Sequence, residues 1–136
     1  MSDVRWRMCE NRRGRYHLDT MDHEAMKART KAFALRVVKL TESLPSTRAA
    51  DVIGKQLLRS ATSVGANYRA SRRGKSRADF IHKLTIVEEE ADESAYWLEL
   101  LVESGIVPQA KLTDLMRECD EITAIIVASI RTAKRR

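Results

Sequence analysis

The stretch that decides the fold runs from Leu57 to Leu101 and reads LLRSATSVGANYRASRRGKSRADFIHKLTIVEEEADESAYWLELL. It contains two runs in which apolar and small residues recur at alternating gaps of four and three, separated by a polar connection around Gly74. Gaps that average about 3.5 residues are typical of helices that pack lengthwise at a shallow angle. The stretch therefore predicts two long helices that lie side by side.

The same spacing appears on both sides of this stretch. It covers residues 26–44 before it and residues 112–129 after it. The connections contain residues typical of helix ends and starts, namely Pro45 in the first and Gly105 with Pro108 in the last. Short connections place consecutive helices next to each other and antiparallel. The sequence therefore predicts an all-α protein, an antiparallel up-down-up-down four-helix bundle.

The predicted bundle occupies residues 23–133. Before it, residues 1–22 form an Arg-rich arm in which apolar residues show no period, and we expect this arm to be loosely ordered. After it, residues 134–136 form a short basic tail. The length of 136 residues corresponds to about one domain, which is large enough to bury a core without disulfides.

The composition excludes several classes of protein. The two cysteines, Cys9 and Cys119, make neither a disulfide framework nor a paired-cysteine metal site. No apolar run reaches the roughly 18 residues needed to cross a bilayer, and the first residues do not read as a signal peptide. Aromatic residues, at 5%, are too few for the base-stacking platforms of single-strand binders. We therefore expect a cytoplasmic protein with no membrane role.

Catalytic and metal-binding patterns are missing from the sequence. Cys119 lies on the apolar seam of the fourth helix, where a small buried side chain is expected. The acidic run at residues 88–93 would need Glu-x-x-His motifs on other helices to hold two metal ions, and Asp79-x-x-His82 is the nearest spacing to one. Residues 71–76 lack the glycines of a phosphate-binding P-loop. We therefore expect no enzyme, no metal and no cofactor, and an acidic outer face that is solvated or meets a neighbouring subunit.

Basic residues are concentrated where the predicted topology brings three segments together. In an up-down-up-down bundle, the N-terminal arm, the connection between the second and third helices and the C-terminal tail lie at one end. Fourteen of the 25 Lys and Arg residues belong to these segments. Clustered Arg and Lys bind phosphate backbones by counterion release, and Arg adds bidentate hydrogen bonds. We predict that this end binds nucleic acid by phosphate and shape, the alternative being a solubilising loop with basic ends. The predicted contact residues are Arg69, Arg72, Arg73, Lys75 and Arg77.

Four further residues are candidates for a structural or interface role. Asn67 falls on the predicted seam of the second helix, where a buried amide fixes register or oligomeric state, with contact to RNA as the alternative. Arg59 and Glu93 lie beside the main seams of their helices and are expected to form an ion pair. Trp97 belongs to a second stripe on the third helix, about 120° round from the first. We expect Trp97 to anchor another subunit, unless this stripe packs within the chain.

The same stretch resembles a known family. The matching points are Arg59, the run Ser63-Val64-Gly65-Ala66-Asn67, Ser76 with Asp79-Phe80, and Glu93 with the block Tyr96-Trp97-Leu98-Glu99-Leu100-Leu101. Together they resemble the four-helix-bundle family of 23S rRNA intervening-sequence (S23-type) proteins, over about residues 31–130. Many members of that family have Ala-Glu-Gly two residues after the Asn, whereas this chain has Arg69-Ala70-Ser71.

The resemblance implies a helical protomer that assembles into a ring-like pentamer. It also implies a link to RNA, because the first genes of this kind lie in insertions within 23S rRNA genes. A distant relative is the accessory variability determinant of diversity-generating retroelements, a basic pentamer that works with a reverse transcriptase and RNA. The resemblance therefore adds a ring-like oligomer to the predicted fold.

Two functions are compatible with these features. The first is a non-catalytic homo-oligomer, a pentamer, that binds nucleic acid through its basic end, RNA in preference to DNA. The second is a protein-interaction adaptor that docks a nucleic-acid-processing partner such as a reverse transcriptase and has no direct nucleic-acid role.

Overall fold

The structure is a computed structural model that describes the backbone of residues 8–10, 16–18 and 20–135 and the side chains of residues 23–135. Its four helices are α1 (Thr20–Glu42), α2 (Arg48–Ser71), α3 (Arg77–Glu103) and α4 (Gln109–Lys134). Two short strands precede them, β1 (Met8–Glu10) and β2 (Tyr16–Leu18). The strands pair antiparallel, with Cys9 opposite His17.

Consecutive helices pack side by side, and the short connections make neighbours antiparallel. The packing is most extensive between α2 and α3, less so between α3 and α4 and between α1 and α2, and smallest where α1 meets α4. Among the described residues, no Cα atoms of the diagonal pairs α1–α3 and α2–α4 come within 8 Å of each other. The all-α fold is therefore confirmed, and the helix order is that of an up-down-up-down bundle.

The helix ends follow their sequence signals. The side chain of Thr47 accepts a hydrogen bond from the backbone N–H of Ala50 at 3.2 Å, which caps the start of α2. Ser76 accepts a hydrogen bond from the N–H of Asp79 at 3.1 Å and caps the start of α3 in the same way. Gly105 follows the end of α3 with a φ of 77°, a left-handed conformation that glycine adopts without steric cost. These ends keep the connections short enough to hold the helices antiparallel.

The two chain ends differ in detail from the predicted boundaries. α1 begins at Thr20, before the predicted boundary at residue 23, and six residues of the predicted arm pair in the two-stranded sheet. Strands of three residues are too short to show a period, so the hydrophobic pattern could not predict them. At the other end, α4 includes Lys134, which the sequence predicts to lie in the basic tail. The order of residues 1–7, 11–15, 19 and 136 lies outside the described residues.

The core is the shared interior of the four helices. Burying one large aliphatic or aromatic side chain stabilises a fold by about 1.5–3 kcal/mol. The largest fully buried side chains are those of Phe33, Met26, Leu57, Leu84, Leu98, Leu101, Leu112, Ile122 and Ile126. Since all four helices contribute to it, the core is one continuous cluster.

Small residues on α2 let α1 approach closely. A Cβ atom at Gly54 would lie 2.9 Å from Cδ1 of Leu44, and one at Gly65 would lie 3.4 Å from Oγ1 of Thr30. Ala61, between these glycines on the same ridge, is fully buried. These small residues therefore serve the packing of α2 against α1 and against the connection that follows α1.

Candidate nucleic-acid interface

Two contacts between helix ends place three segments at one end of the bundle. At the start of α3, Nε of Arg77 donates a hydrogen bond of 2.6 Å to the carbonyl oxygen of Ala133, near the end of α4. At the start of α1, Nδ1 of His23 lies 3.0 Å from the hydroxyl oxygen of Tyr68, near the end of α2. We name this end the basic pole and define it by the described basic residues Arg69, Arg72, Arg73, Lys75, Arg77, Arg131, Lys134 and Arg135.

The basic pole is exposed and lacks compensating carboxylates. All eight of its residues are exposed. Among the described residues, none of the eight takes part in an ion pair. The basic residues that do pair with carboxylates are Lys27, Arg29, Lys55, Arg59 and Arg117. The positive charges of the pole therefore repel one another and attract polyanions.

The connection between α2 and α3 has a well-defined backbone. The carboxylate of Asp79 accepts a hydrogen bond from the backbone N–H of Lys75 at 3.2 Å. A Cβ atom at Gly74 would lie 3.2 Å from both the N of Phe80 and the O of Ser71, so a side chain there would crowd two backbone atoms. Because Asp79 already occupies the start of α3, contacts to a phosphate would come from the Arg and Lys side chains rather than from backbone amides.

Arg72 is partly desolvated although the residue is exposed overall. Desolvation by neighbouring atoms lowers the pKa of Arg72 from its ordinary value, while nearby Tyr68 acts in the opposite direction. A charge with fewer waters around it interacts more strongly with an opposite charge. Arg72 is therefore well placed to gain from contact with an anion. The structure places all five predicted contact residues at the pole, but Arg77 already uses one N–H to hold the end of α4.

The predicted pair of Arg59 and Glu93 forms within the chain and links α2 to α3. Nη2 of Arg59 lies 2.5 Å from Oε2 of Glu93, and Nη1 of Arg59 lies 3.4 Å from Oε2 of Glu90. The other oxygen of Glu93 accepts a hydrogen bond of 3.3 Å from Nε1 of Trp97. The hydrogen bond from Arg59 is the main reason that the pKa of Glu93 lies below its ordinary value. Trp97 is half-buried against its own core, and its role towards another subunit stays a prediction.

Asn67 does not occupy the buried seam position predicted for it. The residue is half-buried, and its Nδ2 donates a hydrogen bond of 2.9 Å to the carbonyl oxygen of Ser63 in its own helix. The buried position belongs to Tyr68, which is 3% exposed. A straight helix has 3.6 residues per turn and needs a gap of four more often than a strict alternation of four and three allows, and α2 takes that gap between Val64 and Tyr68 before Ser71 is again buried. The placement of Asn67 on the seam is thus corrected.

An ion-pair cluster between α1 and α4 has no counterpart in the predictions. Arg29 donates hydrogen bonds to Glu118 and Glu121, and its bond to Glu118 is the main cause of its raised pKa. The cluster lies where the packing between adjacent helices is smallest. Arg29 stands directly before Thr30, a residue of the apolar spacing on α1. This flanking position is the feature of the sequence that could have indicated an ion pair.

Cys119 is fully buried as predicted, its Sγ lies 3.2 Å from the carbonyl oxygen of Ala91, and burial raises its pKa to about 12. Within residues 23–135, His, Cys, Asp and Glu side chains nowhere form a group of three or more that could hold a metal ion. The described helices include none with the length and apolarity that a bilayer crossing requires.

A shallow cavity of about 480 Å³ lies at the opposite end of the bundle from the basic pole. It is formed where α1 turns into α2, and its walls include Leu44, Pro45, Thr47, Asp51 and Leu58. Asp51 on its wall is already paired with Lys55 at 3.1 Å. The cavity is therefore separate from the candidate interface.

Known proteins resemble this chain in both sequence and fold. The family model described as "23S rRNA-intervening sequence protein" matches residues 23–128. A solved structure that is 37% identical comes from Bacteroides thetaiotaomicron and is described as a protein of unknown function from the S23 ribosomal protein family. It superposes with a TM-score of 0.76, and the match covers 82% of this chain and 99% of that one. No curated protein matches the chain.

Proposed function

We propose a nucleic-acid-binding function for this chain, which belongs to the 23S rRNA-intervening sequence protein family. The predicted resemblance to that family is confirmed. In our proposal the protein is a non-catalytic homo-oligomer, a pentameric ring, that binds RNA in preference to DNA through the basic pole. The preference for RNA rests on the rRNA setting from which the family takes its name.

The observation that carries the proposal is the basic pole itself. Eight exposed basic side chains gather at one end without forming an ion pair among the described residues. Like charges held close together destabilise the folded state by repulsion. A polyphosphate relieves that repulsion and releases its own condensed counterions on binding. The pole therefore has the electrostatic properties of a phosphate-binding surface.

The side chains at the pole favour recognition of phosphates and shape over recognition of bases. Arg presents a planar fork of N–H groups that pairs with phosphate oxygens. Stacking on bases needs exposed aromatic rings, and Tyr96, an exposed aromatic residue, lies well along α3 from the pole. Tyr68, which is close to the pole, is buried. We expect binding to follow backbone geometry and strand structure more than base sequence.

A ring would strengthen binding by repeating the pole. If the subunits of a ring all point the same way, their basic poles lie on one rim. A nucleic acid that touches several poles at once binds with the high effective concentration of a multivalent ligand. Oligomerisation and nucleic-acid binding are therefore expected to support each other.

The test is binding of a structured RNA and of duplex DNA across a salt series. We compare the wild type with a pole variant that carries Arg72→Glu, Arg73→Glu, Lys75→Glu and Arg77→Glu. The expected result is tight RNA binding by the wild type that weakens steeply with salt, and a loss of at least about 100-fold in the variant at low salt. The slope of log affinity against log salt should fall by about 1 for each phosphate contact removed.

A matched control separates the position of the charges from their number. It carries Arg48→Glu, Lys55→Glu, Lys111→Glu and Arg117→Glu, four exposed residues outside the pole, and changes the net charge by the same amount. The proposal expects this control to keep most of the binding, since attraction by net charge alone is weak. Equal and weak binding by all three proteins would overturn the proposal and favour the alternative, an adaptor that docks a partner protein.

A further inference from the structure

The outer faces of α1 and α3 lie on opposite sides of the bundle, since these helices form a diagonal pair. Each face carries a large apolar side chain that is well exposed. Leu35 on α1 is 56% exposed, and Tyr96 on α3 is 53% exposed. A single exposed apolar residue is common on protein surfaces and carries no meaning alone. The charges around the two residues decide what each face can bind.

The face around Leu35 is basic. Lys31 and Lys39 lie four residues before and after Leu35, one helical turn away on the same side, and Arg36 is next to it. All three are exposed. None of the three forms an ion pair with another described residue. We name Lys31, Leu35, Arg36 and Lys39 the α1 face.

The face around Tyr96 is acidic. Asp92 and Glu99 lie four residues before and three residues after Tyr96 on the same side of α3, and Glu89 and Glu103 extend the row by one turn in each direction. All four carboxylates are exposed, and none of them pairs with another described residue. We name these five residues the α3 face.

Tyr96, at the centre of the α3 face, packs against the ring of Trp97. The rings of Tyr96 and Trp97 meet edge to face, with centroids 5.0 Å apart and planes at 63°. Trp97 is itself fixed by its hydrogen bond to Glu93 and by its contact with the core. Tyr96 is therefore presented on a rigid base, which lowers the entropy lost when another molecule covers it.

We infer that the α1 face of one copy of this chain docks on the α3 face of a second copy. Leu35 and Tyr96 then bury each other at the centre, while Lys31 and Lys39 meet Asp92 and Glu99 around them. An apolar centre with a complementary charged rim is the usual anatomy of a protein interface. The inference rests on the homo-oligomer of the proposed function and identifies the two surfaces that join its subunits.

Such a contact sets the form of the assembly. The two faces differ, so the contact is heterologous: it builds an open row if each copy docks without rotation, and it closes a ring if each copy is turned about the bundle axis by the same fraction of a circle. α1 and α3 run in the same direction in an up-down-up-down bundle. Neighbouring copies that dock these helices parallel point the same way, which would place all basic poles on one rim.

The experiment reverses the charge of each face and then of both. One variant carries Lys31→Glu with Lys39→Glu, a second carries Asp92→Lys with Glu99→Lys, and a third combines all four changes. Molar mass is measured by light scattering, with circular dichroism to confirm folding. We expect the first two variants to fall to the mass of one chain, because like charges then face each other. The third variant should return to the wild-type mass, because both faces are reversed together.

A matched control reverses charge on the outer face of α4, with Lys111→Glu and Arg117→Glu in one variant and Asp114→Lys and Asp120→Lys in another. Both should keep the wild-type mass. A wild-type oligomer that survives either face reversal, or a combined variant that stays monomeric, would overturn the docking of these two faces and leave the oligomer itself standing. A monomeric wild type would overturn both the docking and the oligomer of the proposed function.

Discussion

The middle of the α2–α3 seam and the basic pole at the end of the same two helices have opposite chemistry. In the middle, Leu57 and Leu98 are fully buried, and the buried hydroxyls of Ser60 and Ser94 lie 2.8 Å apart. Each hydroxyl also lies within hydrogen-bond distance of a carbonyl oxygen of its own helix, so one hydroxyl donates to the other, which in turn donates to its carbonyl. At the pole, exposed basic side chains gather without a carboxylate partner among the described residues.

Arginines of α2 show the same difference along a single helix. Arg59, near the middle, meets the carboxylates of Glu90 and Glu93 across the seam. Arg69, in the last turn of the helix, has no such partner among the described residues. A charge that stabilises the fold lies beside an opposite charge of the same chain, whereas a cluster of unpaired like charges destabilises the fold by repulsion. The comparison indicates that the stability of the bundle resides in the seam, and it agrees with the binding role proposed for the pole.

The largest expected effect comes from a cavity in the seam. Leu98→Ala removes a fully buried side chain and should lower the free energy of unfolding by about 2–5 kcal/mol. Binding of RNA per folded molecule should stay unchanged, because the pole is untouched. Chemical denaturation and a binding titration at low temperature measure the two quantities. If affinity fell in proportion to stability while the protein stayed folded, the separation of seam and pole would be incorrect.

A smaller effect is expected from the hydroxyl pair. Ser94→Ala removes one partner of Ser60, which keeps its bond to the carbonyl oxygen of Leu57, so the loss should be about 1 kcal/mol. The double variant Ser60→Ala with Ser94→Ala should cost less than the sum of the single changes, because neither hydroxyl is then left without its neighbour. Denaturant midpoints of the four proteins give this coupling. Strict additivity would show that the two hydroxyls do not interact.

The smallest effect on stability is expected at the pole. There the change in RNA affinity should be much larger than the change in the free energy of unfolding. Arg72→Gln with Arg73→Gln should change the free energy of unfolding by no more than about 0.5 kcal/mol, towards greater stability at low salt, since repulsion and the desolvation of Arg72 are relieved. RNA affinity should fall at the same time. Arg48→Gln with Lys111→Gln, two exposed residues at the opposite end, is the control. A clear loss of stability in the pole variant would mean that these arginines hold the fold together.

Much of the fold followed from residue spacing. The gaps of four and three placed Leu57, Ser60, Leu84, Leu98 and Cys119 in the interior, and all five are buried. The spacing failed at one position of α2, where Tyr68 rather than Asn67 is buried. A strict alternation of four and three averages about 3.5 residues, whereas a straight helix has 3.6 per turn, so single positions of the pattern miss the buried face.

Side-chain contacts between helices were predicted less completely. The pair of Arg59 and Glu93 could be proposed because both residues lie beside the seams of helices that are neighbours in sequence. The cluster of Arg29 with Glu118 and Glu121 joins the first helix to the last, which are far apart in the chain. The residue pattern along each helix carries no information about which residues of two distant helices lie at the same level along the bundle axis. That level depends on the helix lengths and connections accumulated between them.

The sequence by itself determined the helical class, the order of the helices and the concentration of basic residues at one end, because local spacing and short connections decide these features. Tertiary structure alone decided which basic residues find carboxylates and which stay unpaired. It also decided that Trp97 rests on its own core while Tyr96 and Leu35 face outwards. The physical reason is that pairing and exposure depend on the rotation and level of each helix against its neighbours, which are set when all four helices pack together.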